Sequence, residues 1–264
     1  MFDYNKRTYI MGILNVTPDS FSDGGKFNSV DEALKHAIKM VEEGADIIDL
    51  GGESTRPGHK FVSAEEEISR IVPVIKRLKE EINVPISIDT YKSEVAEEAL
   101  KLGVDMVNDV WGLTYDGKMA DVVAKYDGEV CIMHNQDGTE YDKDIIESIK
   151  EFLLESVDIA IEAGIDKNKI VLDPGIGFGK TYEQNIEVLE RLGELRDLGY
   201  PVLLGTSRKS VLGKILENST PKERVNATVA TTVLGVKDGV DIVRVHDVKE
   251  NKEAAMVADA IYRR

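Results

Sequence analysis

Apolar residues in this sequence arrive in short runs, separated by longer stretches in which they recur every three or four positions. The short runs lie at 8–14 (TYIMGIL), 46–50 (DIIDL), 85–88 (PISI), 104–107 (VDMV), 130–133 (VCIM), 169–172 (KIVL), 201–204 (PVLL) and 241–245 (DIVRV). They are β-branched and apolar on both faces, the pattern of parallel strands covered by helices. Helical spacing occupies the intervals near 30–43, 64–82, 92–102, 116–126, 143–164, 183–197, 208–216 with 221–236, and 249–262. In 64–82 the residues Ile68, Ile71, Val72, Ile75 and Leu78 form one stripe with charges between them. Pro73 interrupts it; a proline removes one helical hydrogen bond, so a kink or local irregularity is expected there. Eight strand-then-helix units predict an α/β fold, a (β/α)8 TIM barrel forming one domain over residues 1–264. A doubly wound open sheet is the alternative built from the same units.

In such barrels reactive side chains sit at the C-terminal ends of the strands and in the loops that follow. Here Asn15 follows strand 1, and Glu53-Ser54-Thr55-Arg56 follow strand 2. Asp89 closes strand 3, Asn108-Asp109 strand 4, His134 strand 5 and Asp173 strand 6. Lys209 lies just beyond strand 7, and Arg244 and His246 close strand 8. Asp and Asn also end strands and cap helices for purely structural reasons. Eight polar ends converging on one face favour a site.

Charge sharpens this. The chain has 33 Lys and Arg against 49 Asp and Glu, a net −16. That surface repels nucleic-acid backbone and anionic membrane, so neither is an expected partner. An anionic substrate would need a local cationic cluster, which makes Arg244, His246 and Lys209 informative. The single cysteine, Cys131, rules out an internal disulfide. The N-terminal residues have no signal-peptide layout, which leads to the expectation of a cytoplasmic protein. Gly175–Lys180 misses a phosphate-binding P-loop because position 174 is Pro174, and its glycines miss the dinucleotide fingerprint.

Five ordered motifs carry a resemblance. They are Asn15–Gly25 (NVTPDSFSDGG), Gly51–Gly58 (GGESTRPG), Asp173–Lys180 (DPGIGFGK), Gly205–Ser210 (GTSRKS) and Arg244–Asp247 (RVHD). Together they resemble the dihydropteroate synthases, and the match runs from strand 1 to strand 8. One stretch departs: after His134 that family carries a Pro and a Met, whereas this chain reads Asn135–Tyr141 (NQDGTEY) with neither. Contacts from the fifth loop are therefore not carried over, and His134 is not placed among the catalytic residues.

The resemblance implies a transferase of folate biosynthesis. It would join a dihydropterin diphosphate to p-aminobenzoate and release diphosphate, with Mg2+ as cofactor and Asn15 as the protein's metal ligand. It also implies a homodimer and sensitivity to sulfonamides. Asp173 is the family's acceptor for the guanidine-like edge of the pterin. Asn108, Asp89, Phe178, Lys209 and Arg244 complete the expected pterin site; an amide, a carboxylate and an ammonium suit its ring nitrogens and carbonyl. Arg244 and His246 lie two apart on strand 8, so alternation would point both into one pocket, where they would meet the diphosphate with Asn15 and Thr55. Thr55, Arg56 and Pro57 are the family's contacts to p-aminobenzoate, joined by Phe21 and by Ser210 at a helix start whose free N–H groups suit a carboxylate. The expected catalytic set is Asp23, Arg56, Lys209, Arg244 and His246, with Phe21 and Asp23 on a closing loop beside a cation formed by early C–O cleavage.

Three rivals share parts of this pattern. A pterin-binding methyltransferase acting with a corrinoid protein needs neither Asn15, Arg244 and His246 nor the SRKS segment. A non-enzymatic barrel would have lost some strand-end residues. An unrelated phosphate-binding barrel grips phosphate with glycine-rich backbone after strands 7 and 8, where this chain has Lys209 and Arg244-Val245-His246.

Overall fold

A computed structural model describes residues 2–4, 6–17, 26–54 and 61–263. Eight strands alternate with helices. The strands are β1 (Tyr9–Asn15), β2 (Ile47–Gly51), β3 (Ile86–Asp89), β4 (Met106–Asp109), β5 (Glu129–Met133), β6 (Ile170–Asp173), β7 (Leu203–Leu204) and β8 (Ile242–Val245). The helices are α1 (Lys26–Glu42), α2 (Ala64–Glu81), α3 (Ser93–Lys101), α4 (Met119–Lys125), α5 (Ile145–Glu162), α6 (Tyr182–Glu190), α7 (Ser210–Ile215), α8 (Val225–Lys237) and α9 (Val248–Tyr262). All pairings are parallel, in the order β6-β5-β4-β3-β2-β1-β8-β7. A single bridged pair, Leu172 with Val202, joins β6 to β7 and closes the ring. The fold is a TIM barrel, not the open sheet.

Every strand but β5, which starts one residue early at Glu129, begins one or two residues later than the apolar run that predicts it, and β7 keeps only two residues. Pro201 explains part of this, because it has no N–H to give a ladder. The expected helix at 183–197 divides at Arg191 into α6 and a 3-10 segment, Leu192–Leu198. The helix expected from 208 begins at Ser210, since Arg208 has φ +58. Helix α2 runs as one element through Pro73, which faces solvent together with Ser69, so the unpaired carbonyl there can turn to water.

Alternation divides the barrel cleanly. One set of strand residues packs outward under the helices, with Ile10, Ile48, Ile88, Val107, Ile132 and Leu172 all fully buried or nearly so. The inward set fills the lower barrel with Tyr9, Met11, Ile47, Met106, Cys131, Val171, Leu203 and Ile242. Phe2 and Tyr4 plug the bottom against Tyr9. One layer higher, the same inward positions turn polar: Asn15, Asp49, Ser87, Asp89, Asn108, Asp173 and Arg244.

The N-terminal ends of strands follow a repeated device. Helices α1, α3 and α8 are each followed by Gly-x-Asp: Gly44-Ala45-Asp46, Gly103-Val104-Asp105 and Gly239-Val240-Asp241. Each glycine has a left-handed φ that turns the chain back toward the sheet. Each aspartate then accepts an N–H at the start of a neighbouring strand: Ile10 to Asp46, Ile86 to Asp105 and, just before β7, Val202 to Asp241, all at 2.9 Å. Among the described residues, no helix is long and apolar enough to cross a membrane.

Candidate active site

The centre of the site is an arginine held by two aspartates. Arg244 rises from β8 into the barrel, where its Nε donates to Asp49 Oδ2 at 2.6 Å and its Nη2 to Asp89 Oδ2 at 2.5 Å. Asn108 Nδ2 donates to the same Asp49 oxygen at 3.2 Å. Asp49, Asp89 and Asn108 come from the neighbouring strands β2, β3 and β4, and Arg244 reaches them from β8 past β1. The remaining oxygens, Asp49 Oδ1 and Asp89 Oδ1, are buried without a partner among the described residues, as is Ser87 Oγ beside them. Orphaned buried acceptors cost stability, and their concentration in one layer marks a surface shaped for N–H donors of a ligand. Burial pushes Asp89 up to about 7 despite the opposing charge of Arg244, with Asp49 adding to the rise. The guanidinium is held above its ordinary value by the two carboxylates, against the effect of burial.

Asp173 stands at the end of β6. Its Oδ1 accepts the Gly175 N–H at 2.7 Å. Burial raises its pKa, while the nearby Lys209 ammonium opposes the rise. Lys209 reaches back from the loop after β7, donates to the Ile176 carbonyl and lies 4.7 Å from the centroid of the Phe178 ring. Burial lowers its pKa to about 8, with Asp173 acting the other way. Gly205 lies between these two groups: a Cβ there would stand 3.7 Å from Asp173 Oδ2 and 3.9 Å from Lys209 Nζ. Its bare backbone leaves the space between acceptor and donor open.

The two strand-8 cations have different partners. β8 ends at Val245, one residue before His246. Arg244 points inward onto the carboxylates, whereas His246 sits at the rim with Nδ1 2.9 Å from Ser207 Oγ, and its backbone N–H donates to the same oxygen at 3.1 Å. Arg208, between Ser207 and Lys209, turns outward. Its guanidinium pairs with Asp247 at 3.0 and 2.5 Å, and its carbonyl accepts from Arg224 at 2.8 Å. Ser210 is exposed at the first turn of α7. Asn15 is half-buried at the end of β1, and a Cβ at Gly51 would stand 3.2 Å from its Oδ1. Phe21, Asp23, Thr55, Arg56 and Pro57 lie outside the described residues.

The chain matches the family model for pterin binding enzymes over residues 11–246. It is 58% identical over 264 residues to the dihydropteroate synthase of Clostridium beijerinckii, covering all of this chain and 97% of that one. The chain belongs to the dihydropteroate synthase family of pterin-binding barrel enzymes. A crystal structure of a Clostridium difficile dihydropteroate synthase in the presence of pteroic acid superposes with a TM-score of 0.98 at 70% identity, covering 100% of both chains. The Xanthomonas albilineans dihydropteroate synthase with 4-aminobenzoic acid superposes with a TM-score of 0.93 at 42% identity, over 97% of this chain and 94% of that one. Membership makes this a transferase and fits the polar strand-end layer.

Sequence reasoning missed three members of this arrangement. Asp49 was hidden inside an apolar strand run; its signal was a carboxylate at an inward position with nothing local to pair it. Ser207 was overshadowed by the cations of its own motif. Lys180 passed as the end of a glycine-rich motif. It is buried, with Nζ 2.8 Å from His134 Nδ1 and 3.1 Å from the carbonyls of Gly175 and Phe178. A depression of about 420 Å3 beside Phe61, Lys92 and Tyr115 carries none of the candidate residues.

Proposed function

We propose that the protein condenses 6-hydroxymethyl-7,8-dihydropterin diphosphate with p-aminobenzoate, giving 7,8-dihydropteroate and diphosphate. The observation that carries the reading is the layer of orphaned carboxylate oxygens facing an arginine and a lysine at the C-terminal mouth of the barrel. A pterin has a donor-rich edge and an opposite carbonyl. It matches Asp173 on one side and Lys209 on the other, across the gap that Gly205 leaves. Asp89 and Asn108 take the remaining ring positions, and the Phe178 ring and the Lys209 stem supply flat contacts.

The reaction runs dissociatively in this reading. The bond between the pterin methylene and the diphosphate oxygen breaks first, its electron pair leaving with diphosphate. The arylamine nitrogen then attacks the stabilised cation and loses a proton. The buried acidic layer of Asp49, Asp89 and Asp173 favours that cation electrostatically. Arg244 commits two of its five N–H donors to Asp49 and Asp89, so its first task is to hold these carboxylates in place. His246 and Ser207 stand at the rim, on the side where a leaving anion would depart.

The donor set suits Mg2+ only as a shared site. Asn15 offers one hard amide oxygen, which Gly51 leaves uncrowded, and among the described residues no group of three or more His, Cys, Asp or Glu side chains is placed to hold a metal. An ion bound there would take most of its ligands from diphosphate and water and would neutralise charge on the leaving group. p-Aminobenzoate is read as lying between the second loop, with Thr55, Arg56 and Pro57, and Ser210 at the start of α7. The conserved chemistry of a carboxylate-bearing aniline fits an arginine and a hydroxyl. The solution state is read as a homodimer.

Diphosphate release is the direct test, measured with Mg2+ and each substrate alone, then with both. Release that requires p-aminobenzoate, with dihydropteroate in equal amount, supports the assignment. Tight pterin binding without release would move the reading to methyl transfer with a corrinoid partner. For the order of bond changes, a substrate carrying 18O in the bridging position should scramble its label on the enzyme before the amine is added. Retained label with normal turnover would exclude a free cation.

A further inference from the structure

The loop between β6 and α6 has to fold a glycine-rich backbone into one shape without a strand or helix to support it. Gly175, Gly177 and Gly179 all have left-handed φ, at +68, +86 and +54. Such residues lose the most conformational freedom on ordering, so the loop needs compensating contacts. Its carbonyls show where these come from. Gly175 O accepts from Phe178 N–H and from Lys180 Nζ, Phe178 O accepts from Lys180 Nζ, and Gly179 O accepts from the Tyr141 hydroxyl at 2.8 Å. Gly177 N–H donates to Asn185 Oδ1 at 2.6 Å. The third acceptor of the Lys180 ammonium is His134 Nδ1 at the end of β5. An ammonium has three donors, and this one has three acceptors, drawn from both ends of one loop and from the neighbouring strand.

This hub stands behind the pterin end of the site. The loop it gathers presents the Gly175 N–H to Asp173, the Ile176 carbonyl to Lys209 and the Phe178 ring to the Lys209 ammonium. We propose that Lys180 is a positioning residue for pterin recognition, using its buried ammonium and the ring nitrogen of His134 to fix the loop that sets Asp173, Phe178 and Lys209. This rests on the pterin reading above. His134 accepts from Lys180 only while its Nδ1 is bare, and burial together with the Lys180 charge pushes its pKa down to about 3, so it stays neutral at working pH. Burial lowers the Lys180 pKa to about 7, with Lys209 acting the same way, while Asp173 and the three acceptors favour the charged form.

The inference is tested by Lys180→Met, which keeps the length of the side chain and removes the donors. Affinity for a 6-hydroxymethylpterin probe, measured by calorimetry, should weaken about tenfold or more, and the KM for the pterin substrate should rise in parallel. The KM for p-aminobenzoate should stay within about twofold. A purely structural lysine would instead lower the melting temperature and the active fraction and leave both KM values unchanged, which overturns the proposal. Wild-type protein that fails to bind the probe would refute the pterin reading itself, a different outcome. Should the methionine variant not fold, nitrogen-15 spectra of wild-type His134, assigned with His134→Gln, decide the matter. A neutral Nε2–H tautomer between pH 5 and 8 is expected; an imidazole that titrates in that range overturns it.

Discussion

Aspartates at the two ends of the strands have opposite fates. At the N-terminal ends, Asp46, Asp105 and Asp241 each use an oxygen to accept a strand N–H, and their charges meet Arg7, Lys79 and Arg263 near the surface. At the C-terminal ends, Asp49 and Asp89 keep one oxygen each buried and without a partner among the described residues while sharing a single arginine. The same side chain closes the fold below and leaves it unfinished above. Partner count therefore separates a structural aspartate from a functional one in this barrel, and residue type does not.

The largest effect is expected at Asp173. Asp173→Ala should weaken pterin binding by about a hundredfold to ten-thousandfold, the loss of two charge-assisted hydrogen bonds. The circular dichroism spectrum should be unchanged. Undiminished affinity would remove Asp173 from the pterin site. Next is Asp49→Asn, which keeps the shape and removes one of the two charges on Arg244. A fall of about tenfold to a hundredfold in kcat/KM is expected, since Arg244 and Asp89 then lose their fixed geometry. Normal turnover would show that the pair with Asp89 is sufficient.

A smaller change comes with pH. Lys209 has its pKa lowered to about 8 by burial. Above that value the folded protein loses the proton while an unfolded chain would still hold it, so this group's contribution to stability rises with pH from about 8 toward the ordinary lysine range. Its ability to donate as a cation to the pterin falls over the same interval. Rate and stability should therefore part company: kcat/KM for the pterin substrate declines above about pH 8 without a matching loss in melting temperature. A flat profile that Lys209→Arg leaves unaltered would count against the lysine as donor. The smallest effect belongs to the N-terminal ends. Asp105→Ala should cost about 1–3 kcal/mol by stranding the buried Ile86 N–H, seen as a lower melting temperature with both KM values unmoved. A change in KM would mean that the two ends are energetically coupled.

The barrel was legible because its signals are local. Apolar runs of four to seven residues and helical stripes between them depend on neighbours in sequence, and the polar strand ends followed from strand position alone. Boundaries were less legible where a single residue decides them, as at Pro201 and Arg208. What escaped were contacts made across the ring. Arg244 meets Asp49 over 195 positions and Asp89 over 155, and Lys180 meets His134 over 46. No periodicity encodes such pairs.

The closing seam of the ring has a mechanical consequence. Most neighbouring strands are tied by ladders of several residues, but β6 and β7 meet at one bridged pair. Load applied to the mouth will concentrate at that joint, which lies between the strand bearing Asp173 and the strand leading to Lys209. The aperture between acceptor and donor is thus the most compliant dimension of an otherwise stiff cylinder, free to adjust its width to a flat guest while the other walls keep their spacing.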